Sequence, residues 1–131
     1  MNKGIFITAT GTDVGKTFIS ALIVKKMRDL GLNCGYYKPA LSGAELKNGK
    51  LIPGDCEFVL KTAGIKDDPY KFASYIFKTA VSPHLAAEIE GVSIKKEKIL
   101  KSIQKKNKRM KKYLLILMII SIIEMIIIVL K

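Results

Sequence analysis

The sequence contains little cysteine and a single histidine. Its two cysteines, Cys34 and Cys56, lie far apart in the 131-residue chain. They cannot build the disulfide framework of a small secreted domain, and they fall short of the ligands of a tetrahedral zinc site. We also expect no secretory leader, because the apolar run in MNKGIFITATG is short and ends in turn-forming residues. We therefore expect two buried thiols in a reducing compartment, and a cytoplasmic protein.

Acidic residues are scarce in the last third of the chain. Residues 1–94 carry 12 Lys/Arg and 9 Asp/Glu, whereas residues 95–131 carry 11 Lys/Arg and 2 Asp/Glu. The formal net charge of +12 is therefore mostly a property of the C-terminal segment. This distribution argues against nucleic acid as a partner of the folded part, because a basic tail is not a basic binding face.

The N-terminal third has the pattern of a βαβ unit. Residues 4–8 are rich in Ile and Phe, as in a strand buried on both faces, and residues 16–30 have apolar positions at helical spacing. Gly31 marks the end of that helix, and residues 33–37 form a second short strand that ends before Pro39. A chain of this length suggests one domain, and the order predicts an α/β fold with a parallel sheet and flanking helices.

Further elements follow with weaker signals. Residues 40–53 are polar and rich in turn formers, which predicts a functional loop rather than a regular element. Residues 54–63 favour a helix, and residues 75–77 a short extended piece. Ser82 and Pro83 predict a helix start, with the helix ending at Gly91. Ser93 is placed to cap another helix.

The C-terminal segment contains almost no turn-forming residue. A basic run precedes residues 113–130, YLLILMIISIIEMIIIVL, in which Glu124 is the single charge. Eighteen such residues predict a hydrophobic C-terminal helix at about the minimum length that spans a membrane, with the basic flank favouring a cytoplasmic N-terminal part.

The loop between the first strand and the first helix carries the clearest chemistry. Gly15, Lys16 and Thr17 stand at a helix start directly after a buried strand. A phosphate-binding loop needs small residues for close backbone approach, a lysine for the β- and γ-phosphates, and a hydroxyl for Mg²⁺. Thr10 occupies the position of the usual first glycine, with Gly11 beside it. The pattern predicts a site for the phosphates of a nucleoside triphosphate.

Four blocks in order resemble the dethiobiotin synthetase family. They are ATGTDVGKT, YYKPALSG, the lone Asp55 and AVSPHLAAEIEG, and together they extend the resemblance over roughly residues 3–103. The resemblance implies an ATP- and Mg²⁺-dependent ligase of biotin biosynthesis. Such an enzyme carboxylates 7,8-diaminopelargonate with CO₂ and closes the ureido ring. The intact family is expected to form a homodimer.

The resemblance implies a role for individual residues. Lys16 and Lys38 would be catalytic, with Lys16 bridging phosphates and carbamate, and Lys38 stabilising the carbamate and the transition-state charge. Nucleotide contacts would come from six consecutive residues: Thr12, Asp13, Val14, Gly15, Lys16 and Thr17. The substrate would be bound by Thr12, Lys38 and Ser42, and Mg²⁺ by Thr17 and Asp55.

Each of these residues also has an ordinary structural interpretation. Lys38 could be a surface lysine at a strand end, and Asp55 an acidic residue favoured by a helix N-terminus. Ser42 could be a turn residue, and Thr12 and Asp13 could satisfy loop amides. His84 is interpreted as structural, since the family chemistry needs no imidazole base.

The resemblance stops before the family's VEGxGG-type segment, whose glutamate is a second acidic Mg²⁺ ligand. Glu124 has no glycines after it and is a poor candidate for that ligand. The interpretation is therefore an incomplete P-loop domain at residues 1–104, followed at residues 105–131 by a truncated or frameshifted tail. The alternatives for the tail are a membrane anchor and a buried hydrophobic helix. With an anchor, the chain would be a non-catalytic, membrane-tethered nucleotide-binding module.

Overall fold

A four-stranded parallel sheet lies at the centre of the described part of the chain. The computed structural model describes residues 3–9, 11, 15–109 and 113–117. In chain order the strands are β1 (Lys3–Ile7), β2 (Cys34–Leu41), β3 (Glu45–Lys47), β4 (Lys50–Ile52), β5 (Ala73–Ile76) and β6 (Tyr113–Leu117). The helices are α1 (Lys16–Asp29), α2 (Gly54–Thr62), α3 (Pro83–Ile89) and α4 (Lys96–Arg109), with a 3₁₀ turn at Pro69–Phe72. The sheet order is β1-β6-β2-β5, and every pair is parallel.

The predicted βαβ unit is confirmed, but its second strand is longer than expected. β2 continues past Tyr37 through Pro39 to Leu41. Lys38 and Ala40 are in register with β5, and Pro39 between them has no registered partner. β6 pairs with β2 only as far as Tyr37, so the missing N–H of Pro39 interrupts no pairing with β6.

The predicted loop over residues 40–53 contains a β-hairpin. β3 and β4 pair antiparallel, with Glu45 opposite Ile52. Asn48 and Gly49 both have positive φ, 50° and 75°. An Asn-Gly pair favours this two-residue turn because both residues tolerate left-handed backbone. The prediction of a loop without regular elements was wrong, because the Asn48-Gly49 turn brings two short strands into antiparallel pairing.

The helix boundaries follow the local signals closely. α2 begins at Gly54, and α3 begins at Pro83 and ends before Gly91, which has φ 66°. α4 begins at Lys96, three residues after the expected cap, and continues to Arg109. The predicted division of the chain after residue 104 therefore falls inside a continuous helix.

The predicted hydrophobic C-terminal helix is not found at residues 113–117, where it was expected to begin. Tyr113–Leu117 form β6, which lies between β1 and β2 with Leu115 in register with both Ile5 and Tyr36. A short apolar run does not reveal its secondary structure by periodicity alone, and pairing on both sides favours the strand. Residues 118–131, including Glu124, lie outside the described residues. Among the helices that the structure describes, none is long and apolar enough to cross a membrane.

The sheet separates two hydrophobic cores. On one face, side chains of β2 pack with α1 and α2, in a cluster that includes Val24, Tyr36, Cys56 and Val59. A second cluster contains Tyr37 and side chains from β5, α3 and α4. Successive residues of a strand point to opposite faces, which is why Tyr36 and Tyr37 belong to different cores.

Both cysteines are free and buried, as expected. Burial raises the pKa of the Cys56 thiol from 9.0 to about 12, against a smaller opposing effect of the Lys38 cation. Below pH 9.0 the thiol is neutral in the folded and the unfolded chain. At higher pH only the unfolded chain ionises it, so its contribution to stability is lost as the pH rises.

We therefore expect the wild-type chain to lose stability above pH 9.0 more steeply than Cys56→Ala does. The difference should approach about 1.4 kcal/mol per pH unit. Urea unfolding on both sides of pH 9.0 measures it. Equal slopes for the two proteins would show that the folded chain ionises this thiol as readily as the unfolded one.

Candidate functional site

The carboxyl ends of the parallel strands form one edge of the sheet, and the phosphate loop begins there. Phe6 of β1 is in register with Ile116 of β6, and Ile116 with Tyr37 of β2. Lys38 therefore lies at the level of Ile7, the last residue of β1. One strand separates β1 from β2, which places their backbones roughly 10 Å apart. The two strand ends can thus contribute to one site.

Lys16 is held at the N-terminus of α1. Gly15 precedes the helix with φ 85°, a left-handed conformation that favours glycine. The Lys16 side chain is only 9% exposed, and its Nζ donates a hydrogen bond to the carbonyl oxygen of Gly11 in the loop. The ammonium group is therefore kept beside the loop and the positive end of the helix, where an anion would bind.

The structure describes part of the predicted nucleotide site. Gly15 and Thr17 flank Lys16, and Thr17 is half-buried in the first turn of α1. Thr12, Asp13 and Val14 lie outside the described residues, so their predicted contacts with nucleotide and substrate stay predictions.

Lys38 and Asp55 form an ion pair. Lys38 on β2 is 3% exposed, and its Nζ donates to Oδ2 of Asp55 in the first turn of α2. The Asp55 side chain remains 32% exposed. A buried ammonium needs such a partner, because removing an unpaired charge from water is costly. Lys38 is thus no ordinary surface lysine, and the pairing itself was not predicted.

Helices α1 and α2 contact each other near their N-termini. The rings of Phe18 and Phe58 are in contact, with centroids 6.4 Å apart. Thr17 precedes Phe18, and Asp55 lies one helical turn before Phe58. Since α1 follows β1 and Asp55 of α2 contacts Lys38 near the end of β2, the N-termini of both helices lie at the same edge of the sheet.

The available side-chain ligands suit Mg²⁺ only as a site shared with phosphate. Thr17 and Asp55 offer a hydroxyl and a carboxylate. Within the described residues, no group of three or more His, Cys, Asp or Glu could hold a metal ion. Mg²⁺ commonly retains water and binds one or two carboxylates together with substrate phosphates. The Thr17 hydroxyl and the Asp55 carboxylate fit that mode. In this structure the Asp55 carboxylate is paired with the Lys38 ammonium.

Ser42 also lies at this edge, just beyond β2. The loop that follows it is tied to the loop after β5, since Gly43 donates from its N–H to the carbonyl oxygen of Thr79 at 3.1 Å. Gly43 has φ 71°, and a Cβ there would come within 3.3 Å of the Ala80 Cβ. Sequence reasoning missed this neighbouring loop, because pairing between β2 and β5 carries no local signal.

His84 lies at the start of α3. The ring is exposed, and its Nδ1 lies 3.1 Å from Oγ of Ser82. The structural interpretation of this histidine stays a prediction.

A phosphate loop that connects a parallel strand to a helix, with a buried lysine at the helix start, is the arrangement of a P-loop nucleotide-binding domain. A family model described as AAA domain, AAA_26, matches residues 3–116. The chain belongs to this family.

The curated relatives that the chain matches have a more specific name than the family model. The chain is 64% identical over 101 residues to the ATP-dependent dethiobiotin synthetase BioD of Clostridium botulinum (strain 657 / Type Ba4), a match that covers 77% of this chain and 44% of the relative. Its identity to the protein of the same name from strain Eklund 17B / Type B is 58% over 100 residues, or 76% of this chain and 44% of the relative. The predicted resemblance to dethiobiotin synthetases is confirmed. The chain spans less than half the length of these curated relatives.

Proposed function

We propose that this chain carries the nucleotide- and carbamate-binding part of an ATP-dependent dethiobiotin synthetase. The observation that supports this most directly is the placement of Lys16 and the Lys38–Asp55 pair at one edge of the sheet. The identity of 64% to a relative of that name supports the particular reaction. The product would be dethiobiotin, formed from 7,8-diaminopelargonate, CO₂ and ATP with release of ADP and phosphate.

The proposed chemistry proceeds through a carbamate. One amine of the diamine adds to CO₂ and loses a proton, and the carbamate oxygen then attacks the γ-phosphorus of ATP to release ADP. The second amine attacks the carbamoyl carbon and expels phosphate. Negative charge accumulates on carbamate and phosphoryl oxygens, so preorganised cations lower the barrier. Lys16 would face the phosphates, and Lys38 the carbamate.

The remaining residues would bind and orient the reactants. Residues 12–17 would surround the phosphates of the nucleotide. Thr12 and Ser42 would donate hydrogen bonds to the diamine carbamate. Thr17 and Asp55 would hold Mg²⁺ against the phosphates, and the ion would neutralise charge on the transferring group.

The test is a pair of measurements on the purified chain. Calorimetry with Mg-ATP should show binding, and ADP release should require both the diamine and bicarbonate. Lys38→Met should reduce that ADP release by about 1,000-fold, because it removes a cation that stabilises transition-state charge. It should leave the Kd for Mg-ATP within about threefold, since Lys16 and the loop remain.

A matched control is Lys47→Met, which removes an exposed hairpin lysine paired with Glu45. It should change neither measurement. Binding of Mg-ATP without diamine-dependent ADP release would contradict the catalytic proposal. That result would favour a nucleotide-binding module without catalysis.

A further inference from the structure

The hydroxyl group of Tyr36 is buried without a partner. Tyr36 is 0% exposed, and among the described residues no atom forms a hydrogen bond with its hydroxyl. Buried polar groups are nearly always paired, because an unsatisfied one retains the cost of its desolvation. It is the single side-chain oxygen or nitrogen in the described part of the chain in this condition. Such a group requires an explanation.

Its position points to the Lys38–Asp55 pair. Tyr36 lies two residues before Lys38 on β2, so the two side chains leave the same face of the strand. That face packs against α2, in the core cluster that contains Cys56, the neighbour of Asp55. Burial raises the pKa of the Tyr36 hydroxyl well above its ordinary value, and the nearby Cys56 and Asp55 raise it further. The group is therefore a neutral hydroxyl that can donate a hydrogen bond.

We propose that Tyr36 is a positioning residue whose hydroxyl donates to the Asp55 carboxylate when Lys38 turns toward an anionic ligand. The inference rests on the proposed function, in which that ligand is the carbamate. Without ligand, Asp55 accepts from Lys38 and Tyr36 has no partner. When Lys38 engages the carbamate before Mg-ATP binds, the partly buried carboxylate has neither the lysine nor a metal ion beside it and needs another donor. The unsatisfied hydroxyl thus favours the liganded arrangement.

Tyr37 provides a matched control. It is equally buried and adjacent in the chain, but it faces the opposite core. Its hydroxyl is already paired with Oγ of Ser74. Tyr37→Phe therefore removes a hydrogen bond that has no connection with Asp55, whereas Tyr36→Phe removes a hydroxyl without a partner.

The first experiment needs no ligand. Tyr36→Phe should raise the Tm of the wild-type chain, because it removes an unsatisfied buried group. In the Lys38→Met background the same change should lower the Tm, because Asp55 there depends on the Tyr36 hydroxyl. Tyr37→Phe should lower the Tm in both backgrounds. If Tyr36→Phe shifts the Tm in the same direction in both backgrounds, the inference is wrong.

The second experiment measures the Kd for 7,8-diaminopelargonate in the presence of bicarbonate and without nucleotide. Tyr36→Phe should raise the Kd by about fivefold to tenfold, the value of one hydrogen bond to a charged group, and Tyr37→Phe should leave it unchanged. Equal affinities of wild type and Tyr36→Phe would overturn the inference. Failure of the wild-type chain to bind the diamine under these conditions would instead contradict the proposed function, and the ligand-free comparison would still decide on Tyr36.

Discussion

Replacing Leu115 by proline is expected to destabilise the folded chain strongly and to lower its urea midpoint. Leu115 is the middle residue of β6, which is paired with β1 on one side and β2 on the other. Proline removes a backbone donor and does not fit a central strand, at a cost of about 3 kcal/mol or more. That is a large part of the roughly 5–15 kcal/mol that stabilises an ordinary domain. Urea unfolding followed by circular dichroism measures the loss.

Leu115→Val is the control for this change. Valine keeps the backbone N–H and favours strand conformation, so most of the stability should remain. A Leu115→Pro chain that unfolds cooperatively at the wild-type urea midpoint would show that β6 is not part of the sheet. Amide hydrogen exchange gives an independent check, since β1 and β2 should lose protection together in the proline variant.

Replacing Lys16 by methionine is expected to remove nucleotide binding almost completely. The substitution keeps the aliphatic part of the side chain and removes the ammonium that donates to Gly11 beside the loop. Loss of a buried charge-assisted contact to phosphate should raise the Kd for Mg-ATP at least about 100-fold, which corresponds to roughly 2.7 kcal/mol. Isothermal calorimetry with Mg-ATP measures the change.

Lys26→Met is the matched control on the same helix. Lys26 is exposed in the last turn of α1, far along the helix from the loop. Its replacement should leave the Kd unchanged. If Lys16→Met binds Mg-ATP as tightly as the control and retains its helical circular dichroism, the phosphate site is not at this loop.

The parts of the fold that were predictable depend on local signals. Gly31 and Gly91 follow α1 and α3 with φ of 74° and 66°, a conformation that costs glycine little. Pro83 opens α3 because a helix start needs no N–H from its first residue. The position of Lys16 was predictable from local sequence as well, because a phosphate loop is a short motif joined to one strand and one helix. The hairpin turn at Asn48 was equally local and was missed.

What the sequence by itself determined is the phosphate loop, the βαβ unit around it and the resemblance to one family of ligases. The tertiary structure decided the rest. Lys38 meets Asp55 because α2 packs on the face of β2 that carries the lysine. Tyr113–Leu117 form a central strand because β1 and β2 offer unpaired backbone groups on both sides. Contacts between distant segments depend on side-chain packing and strand pairing. Neither can be predicted from an apolar run of a few residues.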